Sequence, residues 1–532
     1  MVALTLTGSG TISAAESTTN WVGDTFSLEP DIKVEGGNSI ACTQTNSGTN
    51  DINFSGSWNL SGTHIRLYWN ITYVGNLSAT NPVQVFISDG SNTDYVTYFT
   101  SNSQYAGGWV DLIVNTSLFT TVNLASITSV GVRVNTGTKP RNVPANAWFD
   151  NWRYSNGYEI YSTTTEAVSF QDAANSDATN VYGILKTVDG VLFATGEILL
   201  GKTTSANANI VSSNETIVFA NRLVTSSLYK LKTQKGSGNT DINISGLVCK
   251  TVGGTGAELD ISSALTTLNL TGSSFIDMGT ITITPTVTTP NLSSNTFTGC
   301  GATTLSIEAE SCTWNNSGIV TISGAGILTT CHISSSSAAS SVSVPNLNDL
   351  DRCQFTSDGT GHAVNLGTIS STDTMSWTCT DTGFAATNGT TGNETILVNV
   401  ASGQTLTINV AAGATTPTIK NDGTGAVSVV AGQVTLNVLV KDITTNLAIQ
   451  NARVYVTAAA GGALAEGTVI INKVLTDSSG VATDTRAYSG NQPISGRVRY
   501  ASGSPYYKTA QIAGTINSAS GLDLTIQMIR DE

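Results

Sequence analysis

The sequence predicts an all-β protein in three parts: an antiparallel sandwich, a stack of parallel β coils and a second sandwich. Three observations carry that expectation. Apolar residues alternate with polar ones at a period of two, as in strands with one buried face. Val, Ile, Thr and Tyr recur throughout, while Gly, Ser, Thr and Asn fill the intervals and favour turns. Between 275 and 377 a large apolar residue returns at steps of 22, 17, 19, 22 and 22 residues.

The first part spans 1–158 and holds six of the eight Trp. In "HIRLYWNI" Ile65, Leu67, Trp69 and Ile71 share a face; Val83, Val85 and Ile87 do so in "VQVFI", and Val130, Val132 and Val134 in "SVGVRV". Such strands pack as a sandwich with one face of each sheet buried. The closing strand "AWFDNWRY" is expected to put Trp148, Asp150, Trp152 and Tyr154 on one side.

The second part spans 159–430. "TEAVSFQDAANSD" suits a short helix, and short strands follow at close intervals. Phe275, Phe297, Trp314, Ile333, Phe355 and Trp377 mark the repeat. A repeat of roughly twenty residues made of a few short strands suits one coil of a parallel β-helix. Stacking then keeps each column in one environment. Trp314, Ile333 and Phe355 fill one interior column, and Cys312, Cys331 and Cys353, two positions earlier, form a second beside it. The alternative is a sandwich of evenly spaced strands. Zinc is a poor reading of the Cys column, because stacked ligands make a line and zinc takes a tetrahedron.

The third part spans 431–532. It runs through "VTLNVLVKD", "NARVYV", "TDSSGVAT", "GRVRY" and "DLTIQMI".

Composition narrows the function. Charged residues make up 11% of the 532 residues, against roughly 25% in ordinary soluble proteins. The net charge is −14 with scattered Lys and Arg, which argues against nucleic acid as a partner. No apolar run approaches the roughly 18 residues of a membrane span, and no secretion signal is expected from the opening "MVALTLTGSG". Seven Cys, an odd number without a CxxC, point to reduced, buried thiols.

No catalytic set is legible. The three His lie far apart, and no GxSxG, HExxH or Walker loop occurs. Glu308 and Glu310, or Asp349, Asp351 and Arg352, are the charged groups a polysaccharide-cleaving enzyme would draw on; surface charge explains them more simply. Asp150 sits among aromatics, and a buried carboxylate must be paired, hydrogen-bonded or bound to a cation.

From its strand pattern and the final "FDNWRY", the region 20–155 resembles jelly-roll modules of the carbohydrate-binding type. That resemblance implies a structural calcium at Asp150, with Glu29 and Asp31 completing the site, and sugar stacking on Tyr105 and Trp109. The alternatives are an Asp at the sheet edge bonded to backbone amides and core packing for Trp109. Residues 434–532 resemble the transthyretin-like or carboxypeptidase-regulatory type of immunoglobulin-like sandwich, with "TDSSG" as a tight turn. The three parts together resemble virion structural proteins of tailed bacteriophages. This implies a non-enzymatic capsid-decoration, head-fibre or tail-fibre protein. It would be assembled in the host cytoplasm as a homo-oligomer, a trimer, contacting other virion proteins and host polysaccharide, with no cofactor beyond that calcium. A tailspike-like depolymerase and a bacterial adhesin are the alternatives.

Overall fold

The computed structural model describes residues 2–531 except 7–9, 24, 35, 45–47, 72–76, 106, 137–144, 156–157, 163–165, 177–184, 195, 204–206, 221–228, 254–255, 336–339, 358–360, 385–393, 412, 431, 489 and 501. The protein is all-β; Phe170–Ser176 is the one α-helix among the described residues. Contacts divide the chain into two compact units, Met1–Ile307 and Glu308–Glu532. The changes expected near 158 and 430 each fall inside a unit, where one kind of strand pairing gives way to another.

In the first unit, one antiparallel sheet runs Val110–Asn115, His64–Ile71, Ala145–Ser155, Ser39–Gln44 and Thr25–Glu29, with Gly10–Ser13 also on Ala145–Ser155. A second runs Trp21–Val22, Thr49–Trp58, Ile127–Asn135, Val83–Ser88 and Thr93–Phe99. They face each other: the Trp21 ring lies 5.5 Å from Phe54 in its own sheet and 4.8 Å from Trp152 in the other. Ile65, Leu67, Trp69 and Ile71 are buried together, but so are His64, Arg66 and Tyr68 between them. The strand His64–Ile71 is thus covered on both faces, not one. Arg66 on the outer side bonds Asp111 at 2.7 Å and the Tyr68 hydroxyl.

The rest of this unit winds through three parallel sheets, each taking every third strand. One is Tyr158–Ser162, Ile198–Leu200, Lys230–Thr233, Glu258–Ile261, Ile281–Ile283 and Thr303–Leu305. The next is Ala208–Ser213, Thr240–Ser245, Thr267–Thr271 and Pro290–Ser293; the third holds Thr216–Ala220, Val248–Val252, Ser274–Ile276 and Thr296–Thr298. Equivalent residues stack. Ile217, Cys249, Phe275 and Phe297 lie opposite one another and are buried, and the two Phe rings stack at 5.2 Å. The first coil's three edges are all covered, which blocks foreign strands. Val2–Leu6 pairs with Tyr158–Ser162, Leu185–Val188 with Val191–Ala194, and Val168 bridges Ile210. The helix Phe170–Ser176 follows that bridge, and Glu215 accepts from the Gln171 amide at 2.8 Å.

One corner recurs. Between the second and third strands of successive coils a single residue turns through positive φ: Asn214 (56°), Gly246 (64°), Gly272 (57°) and Ser294 (57°). After the last three of these the next residue points inward. Leu247, Ser273 and Asn295 are buried, and the Asn295 amide donates to the Leu270 carbonyl of the preceding coil at 2.8 Å.

The second unit repeats this corner at Ser311 (53°), Thr330 (52°) and Arg352 (50°). The residues that follow are Cys312, Cys331 and Cys353, all buried. Their thiols answer carbonyls: Cys331 donates to Ala309 at 3.2 Å and Cys353 to Leu328 at 3.3 Å. Cys379 extends the column, buried and 3.9 Å from the Leu350 carbonyl. The Cys331 and Cys379 thiols beside it, together with burial, push the Cys353 thiol up. Trp314, Ile333 and Phe355 lie opposite one another in the parallel ladder.

The sequence repeat misplaces Trp377. Phe355 pairs with Asp381, and Trp377 ends the strand Asp373–Trp377 in another sheet, with Thr405–Val410 and Ala426–Val430. Its ring still stacks on Phe355 at 6.1 Å and covers the position that Asp381 leaves polar.

The chain ends in a second sandwich. Val434–Asp442 lies between Val481–Arg486, antiparallel, and Leu522–Met528, parallel. The facing sheet runs Val469–Leu475, Arg453–Ala458, Gln492–Arg499 and Ala510–Ile516. Val434, Leu436, Val438 and Val440 take the inward positions of their strand and pack with Val454, Val456, Ile494 and Val498. At one end Asp442 accepts from the Thr444 and Thr445 amides at 2.8 and 2.9 Å, from Tyr507 and from Arg530.

The corner carries the first prediction. A left-handed conformation costs a residue with a Cβ about 1–2 kcal/mol. Gly272→Val should therefore destabilise its unit by about that much, and Thr330→Gly should be neutral or stabilising by up to about 1 kcal/mol. Denaturant melts in which both variants match wild type would remove the corner as a constraint. The second concerns the thiols. Cys312, Cys331 and Cys353 should resist a thiol reagent in the native protein and react once it is unfolded; rapid native labelling of all three counts against their inward placement.

Candidate functional site

The outer face of the sheet centred on Ile127–Asn135 gathers the most connected polar cluster of the first unit. Period-two alternation sends Ile52, Val85 and Val132 into the core and leaves their neighbours outside. Asp51, Arg133, Gln84 and Thr97 thus form one row across four strands. Asn53, Gly131, Phe86 and Tyr95 form the next.

Arg133 grips Asp51 with two bonds, Nε to Oδ1 at 2.6 Å and a terminal nitrogen to Oδ2 at 2.7 Å. The same terminal nitrogen donates to the Tyr95 hydroxyl at 2.6 Å. The guanidinium carbon sits 3.8 Å from the Tyr95 ring centroid, and the Phe86 ring lies 5.4 Å from that of Tyr95. The bond to Asp51 holds the Arg133 guanidinium above its ordinary pKa; burial, then Asp51, raises that of Tyr95. Gly131 leaves room for the Phe86 ring, which a Cβ there would approach within 2.3 Å. The result is a cluster of neutral overall charge in which Arg133 and Tyr95 are half-buried, Phe86 is buried and its ring is tilted 40° to that of Tyr95. The Gln84 amide and the Thr97 hydroxyl, which bond each other at 3.2 Å, border it. It offers ring edges and fixed hydrogen-bonding atoms.

The residues expected from sequence fall elsewhere. Tyr105 is buried, not exposed: its ring packs 4.8 Å from Trp69, and its hydroxyl donates to the Gly108 carbonyl at 2.7 Å. Packed in this way, the ring has no open face for a sugar. Trp109 is half-buried just before Val110–Asn115.

Asp150, Glu29 and Asp31 are not gathered into a cation site. Among the described residues no group of three or more His, Cys, Asp or Glu is placed to hold a metal ion. Glu29 instead accepts from the Asp31 amide at 3.1 Å, and Asp150 accepts from the Val34 amide at 2.6 Å. The single side expected for Trp148, Asp150, Trp152 and Tyr154 is also broken. Asn151 adopts φ +45°, and the register slips between Asp150 and Arg153. This bulge turns Phe149 and Trp152 to the same side, both against Trp21 at 5.7 and 4.8 Å.

Glu308 and Glu310 are exposed on either side of buried Ala309, and the Thr329 hydroxyl donates to Glu308 at 2.8 Å. Asp351 and Arg352 pair with each other at 2.9 Å. Sequence reasoning missed Tyr95 and Arg133. The signal was partial: Arg133 stands between Val132 and Val134 in an apolar run, whereas "DYVTYF" has no clean alternation that would single out Tyr95.

No known family matches this sequence, and no curated protein matches it. Solved structures similar to parts of the chain include a family 11 carbohydrate-binding module of a cellulosomal cellulase of Clostridium thermocellum. It is 13% identical over 28% of this chain and 94% of its own, with a TM-score of 0.20. The catalytic domain of a GH87 alpha-1,3-glucanase is 10% identical over 80% of this chain and 95% of its own, with a TM-score of 0.17. At TM-scores this low neither likeness carries an argument about this chain.

Asp150 yields a prediction. Replacing it with Asn weakens a charge-assisted bond to the Val34 amide, so the variant should be less stable than wild type by up to about 1.5–3 kcal/mol, the range for a bond to a charged group. A melting curve identical to wild type would show that this bond does not hold the sheet's outer covering.

Proposed function

We propose that this chain is a non-enzymatic structural protein that contacts glycans through the Tyr95–Arg133 platform. The observation that carries the reading is the locked geometry of Arg133 between Asp51 and the Tyr95 ring. A sugar offers apolar ring faces and rings of hydroxyls, and a pre-locked aromatic–guanidinium cluster with amide and hydroxyl neighbours presents apolar edges and fixed hydrogen-bonding atoms to them. On this reading the antiparallel part is a jelly roll, the coils are a parallel β-helix and the C-terminal sandwich is immunoglobulin-like. The protein would then belong on the surface of a tailed-phage particle, as a trimeric decoration or fibre protein. Support for that location comes from the resemblance of the whole architecture alone.

A glycan array with the full chain tests the binding step. Arg133→Ala and Tyr95→Ala should each weaken retention of the best neutral glycan about tenfold or more, since a factor of ten is about 1.4 kcal/mol. Arg133→Ala should melt close to wild type, because a surface ion pair contributes only about 0–1 kcal/mol; Tyr95→Ala also removes the ring packed on Phe86 and should melt lower while still folding. Undiminished binding by both variants would remove the platform from the reading. Shortening of the bound glycan by wild type would replace a structural protein with an enzyme.

A further inference from the structure

The four-stranded sheet of the C-terminal sandwich differs in charge from the rest of the chain. Its strands Arg453–Ala458, Val469–Leu475, Gln492–Arg499 and Ala510–Ile516 contain no Asp or Glu, yet carry Arg453, Lys473, Arg497 and Arg499. Residues 434–532 hold eight of the chain's 23 Lys and Arg and only seven of its 37 Asp and Glu.

These cations face outward. Val454, Val456 and Val498 take the inner positions, while Arg453, Arg497 and Arg499 are exposed. Arg453 stands directly opposite Arg499, and Tyr455 opposite Arg497, whose guanidinium carbon lies 6.0 Å from the Tyr455 ring centroid. Directly opposed residues have Cβ atoms about 5 Å apart, where like charges repel. Among the described residues none of the four cations forms an ion pair.

We propose that this face docks a linear polysaccharide bearing carboxylates. Opposed guanidiniums relieve their repulsion by sharing anions, and Arg holds a carboxylate through two parallel bonds. Thr457, Ser495 and Ala513 make the middle of the face small; large exposed apolar residues, Val469 and Leu475, lie on the outermost strand, away from the centre where a protein partner would need buried anchors. Strand addition at the Val469–Leu475 edge is disfavoured, since that strand is twice out of register with its neighbour and Lys473 sits at φ +58°. Duplex DNA carries one charge per about 1.7 Å of axis and calls for a longer basic surface than four cations supply.

The test measures binding of the full chain to polygalacturonate, with its fully methyl-esterified form as the uncharged twin. Wild type should bind the acid polymer, more weakly as salt rises, and not the ester. The double variant Arg453→Gln, Arg499→Gln should lose tenfold or more while melting no lower than wild type. Arg133→Ala should bind like wild type, which separates this face from the Tyr95 platform. Equal binding of the ester, full binding by the double variant, or equal binding of duplex DNA would overturn the proposal. So would salt-sensitive self-association without polymer that the double variant abolishes, since the occupant would then be a second copy.

Discussion

The parallel part of this protein depends on one constraint: the backbone turns left-handed at the same place in seven successive coils. Asn214, Gly246, Gly272 and Ser294 do so in one unit, and Ser311, Thr330 and Arg352 in the other. A turn of one residue leaves no slack, so the strands on either side stay in register from coil to coil. Register in turn stacks like on like, as in the Phe275–Phe297 pair. The residue after the turn adds a donor to a strand carbonyl of the preceding coil, as an amide at Asn295 to Leu270 and as thiols at Cys331 to Ala309 and Cys353 to Leu328. The Cys column is thus a donor column as much as a filler of space.

Stacking also accounts for the composition. Equivalent residues of adjacent coils lie about 4.8 Å apart, so a repeated charge would face its own copy. The outer columns use neutral polar groups instead: the Asn269 amide donates to Asn243 at 2.7 Å. Where charges stack in the first unit's coils, they alternate in sign, with Lys230 on Glu258 at 2.6 Å and Lys232 on Asp260 at 3.4 Å. A chain with 11% charged residues follows from that rule without any appeal to disorder.

Period two made the sandwich strands legible, and the repeat made the Trp314, Ile333 and Phe355 column legible. What failed was local. The coil lengthens after Phe355, so Cys379 and Asp381, 26 residues after Cys353 and Phe355, continue the columns and Trp377 does not. Counting large apolar residues could not show this, because Trp377 fills the same space from another strand. The bulge at Asn151 was hidden too, since one residue at positive φ reverses the alternation after it. Tyr105 was misread because its sequence neighbours do not show that its ring packs on Trp69 and its hydroxyl closes a bond inside. The platform residues escaped for a different reason: Asp51, Tyr95 and Arg133 are far apart in sequence, and only the strand order brings them into one row and its neighbour.

The two candidate faces use cross-strand pairing in opposite ways. Asp51 opposite Arg133 is a closed pair, so its surface is fixed and neutral before any ligand arrives. Such a surface loses little freedom on binding and discriminates by shape. Arg453 opposite Arg499 is an open pair whose charge is answered only from outside. Its attraction is screened by salt and acts at a distance of roughly a Debye length, about 8–10 Å. A closed pair therefore suits an uncharged ligand held by contact, and an open pair suits an anion drawn in by charge. The same elementary unit, two residues facing each other across a ladder, yields either chemistry according to the sign of one side chain.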